Sequence, residues 1–227
     1  MLASRGSASW RSFSLLLLLC SCAAACASES PSADALRQCL VDDPSDRSTM
    51  SCGTAESSYI SAYEQEALSQ CTHVPGRIHV SDEGTIVDAA QLSALRRVGS
   101  LTFFRNEAMT SVDGLEQLSV ADTLGFNNLR ALDDLGALSG LCEVTDELYV
   151  IGLPELTSLE GLHNVGSVGN LVLVGNAGLR DLDGLRGLQR VAGDVQIEGN
   201  TALPAAEIEA FVAALEVGGE ITIADNG

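Results

Sequence analysis

The sequence predicts a mainly β fold, a right-handed β-solenoid of about seven coils with a helical, cysteine-containing N-terminal cap and one C-terminal helix. Three observations predict it. An apolar pattern recurs at a fixed period of twenty-odd residues, the signature of stacked repeats. Each copy opens with a strand-like alternation, as in the Leu171-Val172-Leu173-Val174 stretch, and then writes Leu every third residue. Asn recurs between those two patterns, where the chain must turn.

With Leu171 as position 0, apolar residues follow at +2 (Leu173), +8 (Leu179), +11 (Leu182), +14 (Leu185) and +17 (Leu188), with Asn176 at +5. The template fits copies starting at 78, 101, 124, 148, 171, 195 and 221, in steps of 23 or 24 with 26 at the end. The third copy reads as shortened, since Leu124 and Phe126 run almost directly into Leu129, Leu132, Leu135 and Leu138. In this reading the 0/+2 pair is a short strand, and strands of successive coils pair at about 4.8 Å. Asn106, Asn176, Asn200 and Asn226 form a column whose amides bond the backbone of neighbouring coils, with Glu83 and Leu153 as exceptions. Gly114, Gly161 and Gly184, at +13, permit positive φ. No coil buries its Leu column alone, so stability comes from stacked neighbours.

The pattern Leu-x-Leu-x-x-Asn-x-x-Leu-x-x-Leu-x-Gly-Leu-x-x-Leu resembles the receptor L domain, the leucine-rich-repeat-like β-helix of receptor ectodomains, here as a single domain on a bacterial lipoprotein. Ordinary leucine-rich repeats place an apolar residue two after Asn, whereas here it falls three after. The resemblance covers residues 76–227 and implies a binding module on the cell surface.

The segments before 76 follow from different chemistry. Residues 1–26 read as a lipoprotein-type export signal: Arg5 and Arg11, then an apolar run from Phe13 to Cys20, then small residues leading to a Cys. Cys26 is the expected lipidation site and Cys22 the alternative, and simple cleavage after Ala27 also fits. Of seven cysteines, lipidation at Cys26 leaves Cys39, Cys52, Cys71 and Cys142, an even set suited to two disulfides in an oxidising compartment. Residues 27–75 are expected to be a tether and a disulfide-bearing cap, with Ile60, Tyr63, Ala67 and Cys71 at roughly helical spacing from Ser57 to Cys71. At the far end Pro204 precedes Ile208, Phe211, Val212 and Leu215 on one helical face.

Composition narrows the function. The net charge is −19, the twelve basic residues are all Arg, and export would leave ten of them against 31 acids. That balance disfavours nucleic acid and anionic lipid as partners, so membrane attachment is expected through the N-terminal lipid only. The three His are scattered, and the thiols lack the spacing of paired metal ligands. Asp42, Asp43 and Asp46 lack the Gly and terminal Glu of a calcium loop. No metal and no cofactor are therefore expected. Asp113, Asp133, Asp183 and Glu160 are expected at the +12 corner beside Gly, once per coil, a regularity that suits turn formation better than the clustered carboxylates of a β-helix polysaccharide-active enzyme.

What remains is the outer strand face. Positions +1 and +3 should be polar on an inert solvated sheet, yet Phe104, Tyr149, Ile151, Val172 and Val174 form an apolar column rimmed by Glu147, Asn170 and Asp194. The expected protein is a non-catalytic binding or adhesion module of the cell envelope, outer-membrane, surface or periplasmic, that takes an envelope or extracellular protein or a glycan on this face. The alternatives are an envelope spacer without a specific ligand and, less favoured, the polysaccharide-active enzyme.

Overall fold

The computed structural model describes residues 58–59, 68–81 and 86–227. Among these the chain is mainly β, with ten strands in one sheet of parallel strands and one α-helix, and the sheet is not closed into a barrel. The strands are β1 (Ser58–Tyr59), β2 (His73–Ser81), β3 (Arg97–Phe104), β4 (Val120–Asn127), β5 (Glu143–Ile151), β6 (Ser167–Val174), β7 (Arg190–Val191), β8 (Val195–Glu198), β9 (Glu216–Val217) and β10 (Ile221–Ala224). Helix α1 (Ala205–Ala213) lies between β8 and β9. The export segment 1–26, the tether and the candidate cysteines Cys22, Cys26, Cys39 and Cys52 fall outside the described residues.

Register follows the repeat. Ile78, Leu101, Leu124, Leu148, Leu171, Val195 and Ile221 pair across successive strands as one rank. Side chains two apart on a strand share a face, so Val80, Phe103, Phe126, Val150, Leu173 and Ile197 enter the same core, all at 1% exposure or less. Phe103 and Phe126 stack with ring centroids 5.5 Å apart and planes within 2°. The three-residue Leu positions are buried in every repeat from the second to the fifth. Burial of one such side chain contributes roughly 2 kcal/mol.

The strands are longer than a 0/+2 pair. They run eight or nine residues in β2 to β6, and carry a further inward residue three or four places earlier: Val74, Val98, Ala121, Val144 and Val168, with Val191 in β7 and Val217 in β9 at the matching places. One extra residue at a bulge between Val144 and Glu147 accounts for the step of 24 from Leu124 to Leu148, and a second bulge, between Val74 and Arg77, lies ahead of the first start. The sheet therefore begins ahead of residue 76, and β1 extends it further by pairing Ser58 with Ile78. Ser58–Tyr59 are strand, not the start of a cap helix, because β1 covers the open edge of β2.

The third repeat is full length. Leu129 occupies +5, the Asn position, and Leu132, Leu135, Leu138 and Leu141 follow at +8 to +17. The backbone bond from Asp133 N–H to Thr110 O at 3.3 Å, and the bridge between Ser111 and Asp134, fix this register. Leu replaces Asn there, so the expected loss of three residues was a misplaced column. Asp133 consequently stands at +9, away from the +12 corner of Asp113, Glu160 and Asp183.

Two turn devices repeat once per rank. At +4, Arg105, Asn128, Gly152, Gly175, Gly199 and Asp225 all adopt positive φ, between 54° and 71°. At +10, Asp88, Ser111, Asp134, Ser158 and Asp181 each accept the N–H two residues on, closing Asx- and ST-turns at 2.7 to 3.4 Å. Gly114 and Gly161 have φ 106°, as the +13 reading requires, but Gly184 has no positive φ. Its need for Gly is steric, since a Cβ there would lie 2.1 Å from Leu159 C and O.

Asn176 and Asn200 each bond two groups of the preceding repeat. Asn176 Nδ2 donates to Val150 O at 2.9 Å, and its Oδ1 accepts Leu153 N–H at 3.0 Å. Asn200 does the same with Leu173 O and Asn176 N–H. Asn226 continues the ladder with Ile197 O at 2.8 Å and Asn200 N–H at 3.0 Å. Asn106 Nδ2 donates to Val80 O at 3.0 Å. Leu129 and Leu153 interrupt the ladder and are fully buried.

Helix α1 starts after Pro204, whose ring pre-sets the entry, and buries Ile208 while Phe211, Val212 and Leu215 pack partly against the core. Cys71 and Cys142 are both disulfide-bonded. Backbone bonds place Arg96 on Thr72, Ser119 on Arg96 and Cys142 on Ser119, so three inter-strand steps of about 4.8 Å separate the two cysteines' ranks. A disulfide spans Cα atoms about 4.4–6.8 Å apart, so these two belong to separate bridges.

Candidate functional site on the outer sheet face

The five apolar residues of the expected binding face do share one side of the sheet. The +1 row runs His79, Thr102, Gly125, Tyr149, Val172 and Gln196, and the +3 row runs Ser81, Phe104, Asn127, Ile151, Val174 and Glu198. Phe104, Tyr149, Ile151, Val172 and Val174 are all half-buried. They form two groups rather than one column, because Gly125 and Asn127 stand between Phe104 and the other four.

Tyr149 bridges that gap. A Cβ at Gly125 would fall 1.9 Å from Tyr149 Cζ and within 2.4 Å of both Cε atoms, so the ring rests directly on the Gly125 backbone. Its hydroxyl reaches Thr102, one rank further, by a hydrogen bond. Thr102 Oγ1 is also 2.7 Å from His79 Nδ1. The hydroxyl of Thr102 thus joins two rings across four ranks of side chains, from His79 to Tyr149. The His79 ring tilts against Phe104 at 5.9 Å, and the Arg105 guanidinium sits 4.9 Å above the Phe104 ring. The sequence reading counted the three His as scattered and gave His79, Thr102 and Gly125 no role at this face. The available clue was the small residue beside a large aromatic in adjacent ranks of one row.

The expected rim has two kinds of member. Asn170 Oδ1 accepts Asp194 N–H at 2.9 Å, and Asp194 Oδ1 accepts Glu220 N–H at 2.8 Å, so both side chains cap backbone at the strand corner. Glu147 differs. Burial pushes its carboxyl above the usual carboxylate range, and the neighbouring Asp146 carboxylate pushes it further. Burial also raises the Tyr149 phenol, the Thr102 bond opposes that shift, and Glu147 adds to it.

Because the folded state raises the Glu147 pKa, its contribution to stability is fully present below the unfolded value and is lost as pH rises through the folded one. Glu147→Gln should therefore raise the melting temperature at pH 7 and leave it unchanged below about pH 4. Thermal unfolding across about pH 3.5 to 8 reads the difference; a variant less stable than the parent at pH 7 would show that the ionised carboxylate holds the corner.

Reactive constellations are sparse. Among the described residues no group of three His, Cys, Asp or Glu is placed to hold a metal ion. His163 and Arg186 both approach the Glu160 carboxylate, at 3.3 and 3.6 Å, on the return segment rather than beside the outer-face rings. No helix among the described residues is long and apolar enough to cross a membrane. A groove of about 650 Å³ lies beside β5, β6 and β7, bounded by Glu143, Thr145, Ser167, Gln189, Arg190 and Glu216, separate from the Tyr149 group.

No protein-family model matches this chain, and neither a curated protein nor a solved structure matches it.

Proposed function

We propose that the parallel sheet, the Asn corners and the three-residue Leu return segments together make a β-solenoid of the receptor L type, exported to the cell envelope, which binds a partner non-catalytically on its outer strand face. The solenoid reading is supported by the fixed rank-by-rank register and by backbone bonds between return segments, such as Thr110 N–H to Val87 O and Arg180 N–H to Thr157 O. Export, lipidation at Cys26 or Cys22 and the family resemblance rest on sequence pattern.

The observation that carries the binding reading is the seat of Tyr149. A large amphipathic ring is laid flat on Gly125 and held at its far end by Thr102, with Val172 and Ile151 alongside. A pre-set aromatic loses little conformational freedom on binding, and aromatic anchors dominate recognition surfaces. The ligand class is an envelope or extracellular protein or glycan.

The test is a photo-crosslinking residue at position 172 in intact cells, together with a glycan panel for the purified chain. One enriched partner, lost at least tenfold in Tyr149→Ser and in Gly125→Val, supports the proposal. Gly125→Val fills the seat and tips the ring, so its phenol pKa should fall toward about 10 while the fold persists. Equal capture by parent and both variants would remove the face from the function.

A further inference from the structure

The β10 rank is built like the others but, among the described residues, is exposed on one side. Val195 and Ile197 are fully buried, whereas Ile221 and Ile223, which pair with them and occupy the same inward positions, are 43% and 45% exposed. Among the described residues β10 pairs with β8 alone, so one edge of β10 presents unpaired backbone groups. An exposed aliphatic edge strand is a template for another strand.

Asn226 is the rung of the Asn ladder on this rank. Asn176, Asn200 and Asn226 each take the +2 carbonyl and the +5 N–H of the preceding rank, Asn226 from Ile197 O and Asn200 N–H. The matching pair on the last rank is Ile223 O and Asn226 N–H. A strand added in parallel with Asn at +5 would meet both.

Charge selects among occupants. From Val191 to Gly227 the sequence has no Arg or Lys, Glu216 opens β9, and Glu220 and Asp225 flank β10. A second copy across a two-fold axis would bring these acids together. A second copy docking by its other end would need an open core there, yet Ile78, Val80 and Leu92 are buried.

We infer that this end binds an extended segment of a partner chain, of pattern aliphatic-x-aliphatic-x-x-Asn with Arg or Lys at the outward positions, which adds as a parallel strand to β10. Two Ile side chains supply the apolar contact, the free edge supplies main-chain bonds, the vacant rung sets register and the acids favour basic flanks. This surface is distinct from the Tyr149 face and does not depend on it.

The probe is a fluorescein-labelled peptide, RIRIRGNR, titrated against the full chain by anisotropy. Saturable binding is expected, weakened about fivefold to tenfold when the peptide Asn is replaced by Ala, and at least tenfold when its residues are scrambled. Ile221→Ser/Ile223→Ser should abolish it with the melting temperature retained, the milder Ile223→Thr should weaken it, and Tyr149→Ser should leave it unchanged. Equal binding of the scrambled peptide would reduce the effect to charge and overturn the inference. So would a dimer seen by sedimentation without peptide and lost in the Ile variants, since a second copy would then be the occupant.

Discussion

Replacing Asn176 with Leu should cost the fold roughly 3 kcal/mol, although Leu129 and Leu153 hold the same position in neighbouring repeats and are fully buried. Volume is not the issue. The substitution strands Val150 O, which loses its 2.9 Å bond, and Leu153 N–H, which loses its 3.0 Å bond, inside a core that admits no water-facing route. A buried group left without a partner costs about 1–3 kcal/mol, and two are left. The melting temperature should fall by about 6–12 °C, and urea unfolding should show the same loss at unchanged slope. Asn226→Leu is the control, because that rung is partly exposed and water can take over its bonds. Equal losses at the two positions would mean that the ladder acts by shape and not by pairing.

Gly161→Ala should be at least as damaging, at roughly 4 kcal/mol, from two causes that the glycines themselves separate. Gly161 has φ 106°, a conformation costly for any residue with a Cβ, and that Cβ would lie 2.1 Å from Leu135 O. Gly184 has the overlap without the positive φ, so Gly184→Ala should give an intermediate loss. Gly166 has neither, since a methyl added there would meet nothing within 4 Å, and Gly166→Ala should stay within about 0.5 kcal/mol of the parent. Chemical denaturation of the three variants reads the series. Gly161→Ala and Gly166→Ala of equal stability would contradict the packing of one repeat's turn on the preceding repeat.

The rank order of strands was legible because identity repeats at positions 0, +2, +8, +11, +14 and +17, where only apolar side chains serve. The turn devices were not, since they keep a capacity and vary the residue. Asp and Ser alternate at +10, where either oxygen can accept the N–H two residues on. Arg, Asn, Gly and Asp share +4, where backbone angle is the common property. Leu129 misled for the complementary reason: an apolar residue in a polar column looks like the next apolar column arriving early.

The outer face was legible in part. Alternation on a strand assigns Phe104, Tyr149, Ile151, Val172 and Val174 to one side whatever the register. Which of them touch depends on which residue lies in the adjacent rank, and Gly125 matters only because Tyr149 is its neighbour across β4 and β5. His79 joins the group through Thr102, a contact between ranks 23 residues apart. The bonding of Asn170 and Asp194 to backbone likewise spans repeats, so composition alone made them look like a solvent rim.

The interruption of the Asn ladder at Leu129 and Leu153 gives the molecule two kinds of joint. Between the second, third and fourth repeats the backbone ladder of the sheet runs without side-chain amide rungs, and Phe103 stacks on Phe126 where those rungs are missing. From the fourth repeat onward, amide bonds tie each repeat to the next. Apolar cohesion weakens on cooling while amide pairing does not share that dependence. The joints beneath Tyr149 and Gly125 thus lean more on apolar burial, the part that cooling weakens, than the joints that follow them, and the outer face is set over that seam.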